Sequence, residues 1–231
     1  MKIANYITSL TDYPGKTCTT LFTIDCNFRC GFCHNWKLFA ESCPEEMPNS
    51  MLFDVLTTRL QLTPYITVTG GEPCLYIDLP DFLFALKRKG FKVKLDTNGS
   101  YPTTLKNSLP YADYVAMDIK TSPSKYPKLY NFFNVSHLKH SIFAIKKSGL
   151  EYEFRTTMVP SLVNEDTFED MIQLIDGAKR YRLLQYNNKA AFTRTYKRVK
   201  PYTDEDLLEF AKVAASSNIE EVYLNNNLVS K

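Results

Sequence analysis

The chain has 231 residues, 44% of them apolar and 23% charged. That length supports a core without disulfide staples, and that balance excludes a disordered or collagen-like chain. With 28 Lys and Arg against 25 Asp and Glu, the net charge is too small to point to nucleic acid. No apolar run reaches the roughly 18 residues of a membrane span, so no membrane is expected. Residues 1–14 carry Lys2, Asn5, Thr8, Thr11 and Asp12 and lack the long apolar core of a signal peptide. The expectation is a cytoplasmic protein whose six cysteines serve metal or redox chemistry before disulfides. A single domain over 1–231, with its core at 17–226, suits the length.

In chain order, β-like runs alternate with helical patterns. Residues 17–25 and 65–69 are rich in β-branched and aromatic residues, and 51–60 reads as a helix between them. Leu79, Phe82, Leu83 and Leu86 then show helical spacing, ended by Gly90 in a left-handed position. Strands are expected at 91–96 and 113–118, a helix at 137–148 ended by Gly149, and a strand at 151–157. Phe168, Met171, Ile172 and Ile175 mark the next helix, followed by a strand at 182–186. Thr203 and Asp206 resemble a capping box ahead of Leu207, Phe210, Ala211 and Ala214, and residues 221–224 form the last strand. Repeated strand–helix units imply parallel strands with right-handed crossovers. Asp25, Thr69, Asp96, Asp118 and Thr157 each end a strand, and βα barrels build their sites on such ends. The fold expected is α/β: an incomplete (β/α)6 TIM-like barrel of parallel strands with outer helices.

The strongest chemical signal is Cys26-Asn27-Phe28-Arg29-Cys30-Gly31-Phe32-Cys33-His34, directly after a strand. A short loop with three thiolates can wrap one metal centre. Four thiolates normally fill the iron sites of a cubane, so three leave one iron open. Zinc held by Cys26, Cys30, Cys33 and His34 is an alternative, although ligands adjacent in sequence seldom face one ion and no second pair exists. Packed structural cysteines are a third reading. Elsewhere, Gly70-Gly71-Glu72-Pro73 and Asp96-Thr97-Asn98-Gly99 read in isolation as turns, and Asp118 with Lys120 as a salt bridge.

The C-x3-C-x2-C loop, with aromatic Phe32 before its last cysteine, resembles the radical S-adenosylmethionine superfamily. The resemblance implies a [4Fe–4S] cluster on Cys26, Cys30 and Cys33, with S-adenosyl-L-methionine chelated at the open iron beside Phe32. Gly70, Gly71 and Glu72 would bind its methionyl amino group. The D-T-N-G and M-D-x-K segments, the opening Ser9-Leu10-Thr11-Asp12-Tyr13-Pro14-Gly15-Lys16 and Cys33-His34-Asn35 are similar to those of glycyl radical enzyme activating enzymes. The similarity is closest to activators of anaerobic ribonucleotide reductase, then to pyruvate formate-lyase activators.

That likeness implies reductive cleavage of S-adenosylmethionine to a 5′-deoxyadenosyl radical, which generates a glycyl radical on a partner enzyme. A flavodoxin or ferredoxin-type reductant would supply the electron. Asn98, Asp118 and Lys120 would approach the cofactor, with Lys120 counted beside the three cysteines as catalytic. Asp96, Thr97, Met117 and Asp118 would hold a monovalent cation. Asp12 would lie near the substrate peptide. Asn187 stands where the lyase activators carry a cofactor-proximal histidine. A superfamily member acting on a small molecule, such as 7-carboxy-7-deazaguanine synthase, is the alternative.

Weaker features remain. Arg155 could pair with a carboxylate of the cofactor or of the partner peptide, or form a structural salt bridge. Residues 179–200 carry eight basic residues and no acidic one. They read as a solvated face, as a dock for an acidic partner, or as a nucleic-acid contact. His137 and His140 read as helix-surface residues. Cys18, Cys43 and Cys74 are too scattered for a second cluster and read as packed or incidental thiols.

Overall fold

The computed structural model describes residues 1–40, 43–130 and 133–230. One sheet runs in chain order through β1 (Ile3–Tyr13), β2 (Lys16–Thr23), β3 (Tyr65–Gly70), β4 (Lys92–Thr97), β5 (Tyr114–Asp118), β6 (Glu151–Met158), β7 (Arg180–Gln185), β8 (Glu221–Leu224) and β9 (Asn227–Ser230). Pairing is parallel from β2 to β8 and antiparallel at the two edges. The helices are α1 (Asn49–Leu62), α2 (Leu79–Arg88), α3 (Pro102–Ser108), α4 (Val135–Lys147), α5 (Glu165–Leu174), α6 (Arg194–Arg198) and α7 (Asp204–Ala215). Six strand–helix units therefore precede β8. The strand order is linear, yet Leu10, Asp12 and Gly15 on the first hairpin and Tyr223, Asn225 and Asn226 on the last line one cavity of about 800 Å³. The sheet curls until its edges face each other, which is the expected incomplete barrel.

The central strands are buried on both faces, with Val93, Leu95, Val115 and Phe154 fully inaccessible, as parallel strands covered by helices must be. Against them α2 lays Leu79, Leu83 and Leu86, while Phe84 on its far side stays exposed. Each such leucine contributes roughly 1.5–3 kcal/mol by burial. The expected cap of α7 is present: Thr203 Oγ1 accepts from Asp206 N (3.2 Å) and Asp206 Oδ2 from Thr203 N (2.9 Å). Asn164 and Thr167 make the same reciprocal pair at α5. Gly90 adopts φ +102° after α2, the conformation its position called for.

Some elements differ from the sequence expectation. The first parallel strand ends at Thr23, two residues before the expected 25. Asp25 has φ +62°, a left-handed conformation that Asp tolerates, and this throws the chain out of the sheet. β1 was not anticipated. Only Ile3, Ser9 and Tyr13 of its eleven residues are buried, and two register shifts break its alternation. The short α3, α6 and β9 were also not anticipated. Among the described residues, no helix is long and apolar enough to cross a membrane.

Candidate functional site

The loop after β2 is pinned from several sides. Phe28 is buried against the rings of Tyr126, Tyr130 and Phe133, at 5.5–6.2 Å. Arg29 N–H donates to Leu129 O (3.3 Å), and Gly31 O accepts from Thr193 N–H (3.0 Å). An added Cβ at Gly31 would strike the Tyr196 ring, so a larger residue here would have to displace that ring. These anchors turn Cys26, Cys30 and Cys33 toward one cavity of about 480 Å³.

The other motifs meet the same cavity. Gly71 N–H donates to Thr23 O and Glu72 N–H to Asp25 O, both at 2.9 Å, which zips the loop after β3 to the cysteine loop. The Glu72 side chain, 1% exposed, accepts from Cys74 N (2.9 Å), Thr97 Oγ1 (2.7 Å) and Asn98 N (2.6 Å). One carboxylate thus ties the ends of β3 and β4 together. Burial pushes its pKa up, against the pull of these donors. The Cys74 thiol also bonds this carboxylate, which nonetheless lines the cavity. Asn98 Nδ2 donates to Asn27 Oδ1 (3.0 Å) and lies 3.8 Å from Cys26 Sγ. The Asn98-Gly99 pair is a turn, with Gly99 at φ +75°, and also part of the site.

A chain of alternating charge crosses the barrel interior. Arg155 donates to Asp118 Oδ1 (Nε, 3.0 Å) and to Asp96 Oδ2 (Nη1, 3.1 Å). Asp96 is also bonded by Lys94, and Asp118 by Lys120 Nζ at 3.1 Å. Burial would raise the Asp118 carboxyl, but Lys120 and Arg155 outweigh it and hold it at about 2. Burial opposes charge on Lys120 too, yet Asp118 and Cys30 raise its pKa. Its ammonium lies 6.0 Å from the centre of the Phe32 ring.

The thiols sit in the opposite regime. Burial pushes Cys30 up to about 11, and burial with the nearby Glu72 charge raises Cys26 further. Among the described residues, no three His, Cys, Asp or Glu side chains converge tightly enough for a single metal ion. His34 Nε2 lies 3.1 Å from Asn187 O instead of joining the thiols, so the four-ligand zinc set does not assemble. Three sulfur donors on one pinned loop, facing one cavity wider than an ion, fit an iron–sulfur cluster.

The four residues nominated for a monovalent cation carry side-chain partners of their own. Arg155 already bridges Asp96 and Asp118, and Thr97 donates its hydroxyl to Glu72. The Met117 side chain lies against Gly99.

Among the other nominated residues, Phe32, Asp12 and Arg155 line the cavity, and the last two also line the 800 Å³ cavity beside it. Asn187 does not line it; its Oδ1 accepts from Lys189 N (3.1 Å). Leu184 on β7 reaches the cavity in its place, a position that strand alternation from Arg182 could have indicated. Lys94, 1% exposed, was also missed. Cys18 and Cys74 are buried, Cys43 donates to Leu38 O (3.1 Å), and His137 and His140 are exposed, as expected.

Comparison with known proteins places these features in context. The description "Radical SAM superfamily" attaches to the family profile that matches residues 20–178. A Methanocaldococcus jannaschii protein provisionally named a glycyl-radical enzyme activating enzyme is 32% identical, over 89% of this chain and 88% of its own length. The pyruvate formate-lyase-activating enzyme of Streptococcus mutans is 27% identical over 74% of this chain and 72% of its own. In structure, Streptococcus suis SuiB bound to its precursor peptide SuiA superposes with a TM-score of 0.64 at 15% identity. That match covers 87% of this chain but 46% of SuiB. A domain of a pyruvate-formate lyase-activating enzyme from Bacteroides vulgatus gives 0.53 at 15% identity, covering 68% of this chain and 96% of that domain. At such identities these structures speak for the fold alone.

Proposed function

Because the chain belongs to the radical SAM superfamily, we propose that it is an activating enzyme that places a glycyl radical on a partner enzyme, with anaerobic ribonucleotide reductase as the partner its motifs favour. The observation that carries this reading is the convergence on one cavity of three thiols, Gly70, Gly71, Glu72, Asn98 and Lys120. In this reading Cys26, Cys30 and Cys33 hold a [4Fe–4S] cluster. Together, the cluster and S-adenosylmethionine supply abstraction of a carbon-bound hydrogen atom, driven by one electron.

The chain's own residues supply position and electrostatics. Glu72, held rigid by donors already in place, presents its carboxylate to the ammonium of S-adenosylmethionine. Gly70 and Gly71 let the backbone approach the ligand. Lys120, fixed by Asp118, brings a positive charge to the thiolates and to a cofactor carboxylate. Asn98, bonded to Asn27 beside Cys26, presents an amide to the same ligand. Phe28 and Phe32 wall the cavity against water. Asp12 and Arg155, which border both cavities, stand where a partner peptide would meet the cofactor. Arg155 pairs with both Asp96 and Asp118 and fixes these two carboxylates beside the ligand. A flavodoxin or ferredoxin-type protein is the reductant in this scheme.

The test is anaerobic incubation of the reconstituted, reduced protein and S-adenosylmethionine with candidate glycyl radical enzymes, followed by electron paramagnetic resonance. The expected result is a glycyl radical doublet with the correct partner. Release of 5′-deoxyadenosine with a modified small molecule and no protein radical would replace this reading with the small-molecule one.

A further inference from the structure

The basic run at 179–200 divides into two parts in space. Its first three cations are paired, and Arg180 and Arg182 also line the inner cavity. Lys179 bonds Glu151 (2.9 Å), Arg180 bonds Glu151 and Glu221 (2.6 and 2.7 Å), and Arg182 bonds Glu153 (2.8 Å). The other five, Lys189, Arg194, Lys197, Arg198 and Lys200, are all exposed. None of them forms an ion pair among the described residues. No acidic residue lies between Asp176 and Asp204. Unpaired charge of one sign on one short segment is a steering surface for an oppositely charged protein.

The underside of this strip lies on the cysteine loop. Thr193 N–H donates to Gly31 O (3.0 Å), and the Tyr196 and Phe32 rings are 5.9 Å apart. Phe192 stacks on Trp36 (5.5 Å, 27°), and Lys37, exposed beside Trp36, extends the positive surface. The strip is thus the outer cover of the segment that carries the three thiols. None of its five cations lines either cavity of the barrel, so it does not serve what enters there. Its rings are engaged with Phe32, Trp36 and Phe39 and lack the free faces that single-stranded nucleic acid stacks on.

We propose that the exposed strip around α6, with Lys37, is the docking surface for an acidic one-electron carrier protein that reduces the centre held by Cys26, Cys30 and Cys33. This inference rests on the cluster reading above. The reduced carrier gives up one electron and is oxidised by one unit. The cluster gains that electron, and no proton or covalent bond moves.

The test uses the reconstituted full chain and, as probe, a purified acidic flavodoxin carrying its flavin mononucleotide. The variant Lys189→Glu/Arg194→Glu/Lys197→Glu/Arg198→Glu is compared with wild type and with the four-fold Gln variant, in case reversal impairs folding. Complex formation is read by calorimetry at low and high salt, and cluster reduction by anaerobic stopped flow. The Glu variant is expected to weaken binding by roughly tenfold or more and to slow reduction by flavodoxin in step, with the Gln variant between. Raised salt should weaken wild-type binding in the same way. Reduction by dithionite should be unchanged. Equal affinity and equal flavodoxin-driven rates in wild type and both variants would overturn the proposal. So would loss of DNA binding or of glycyl-radical-partner binding with flavodoxin binding intact. If wild type takes up no cluster, the functional reading fails, while flavodoxin affinity of the metal-free chain still decides the surface.

Discussion

Replacing Gly71 by alanine tests the closest approach in the site. Gly71 is the hinge between the loop after β3 and the cysteine loop. An ideal Cβ there would overlap the Asp25 carbonyl oxygen and stand 2.5 Å from its carbon, where real Cβ atoms keep at least 3.0 Å. The two loops cannot part cheaply, because Gly71 N–H to Thr23 O and Glu72 N–H to Asp25 O hold them at 2.9 Å. Overpacking costs about 1–3 kcal/mol. Losing two backbone hydrogen bonds adds about 1 kcal/mol each. The expected destabilisation is therefore about 3–5 kcal/mol. Gly90→Ala is the comparator. Its φ is +102° but nothing lies within 4 Å of the new Cβ, so it should cost only the left-handed penalty of about 1–2 kcal/mol. Urea unfolding of the metal-free proteins gives both numbers. Calorimetric binding of S-adenosylmethionine to the reconstituted proteins gives the second readout. Gly71→Ala should lose binding, since Glu72 and Cys26 move apart, and Gly90→Ala should keep it. Equal costs for the two variants, or a Gly71→Ala protein that binds like wild type, would refute the zipped-loop reasoning.

Other outcomes follow from the same contacts. Asp118→Asn removes a carboxylate whose pKa is depressed from 3.8 to about 2; with its side chain a third exposed, screening leaves about 1–2 kcal/mol at pH 7. That difference should persist above pH 4 and fade as the pH falls toward about 2, because a depressed carboxyl stabilises only while ionised. A gap between wild type and variant that ignores pH in urea titrations would contradict the ion-pair account. Phe28→Ala should destabilise by about 3–5 kcal/mol and lower cluster occupancy, read as iron per chain, by loosening the loop that Phe28 anchors. Cys18→Ala, a buried thiol away from the cavity, should keep full iron content, whereas Cys30→Ala should abolish the absorbance near 400 nm.

Which parts of this molecule could be read from its sequence depends on how local the cause is. The parallel strands were legible because burial on both faces makes a short apolar run, and α7 because its cap needs only Thr203 and Asp206. The cysteine loop and Glu72 were legible because neighbouring residues in the chain remain neighbours in the site. β1 was not, since an edge strand with two bulges carries no alternation. Arg155 shows the boundary. The residue stood out in the sequence, but its partners could not be chosen until β5 and β6 were set in register, with Asp118 opposite Arg155. Once they are, the guanidinium pairs with both Asp96 and Asp118. The basic run obeys the same logic. In sequence it is a count of charges. Register then brings Glu151, Glu153 and Glu221 against its first three members, and what remains unpaired is confined to the segment lying on Gly31. A charge cluster acquires a function only by subtraction, after the sheet has claimed the cations it needs.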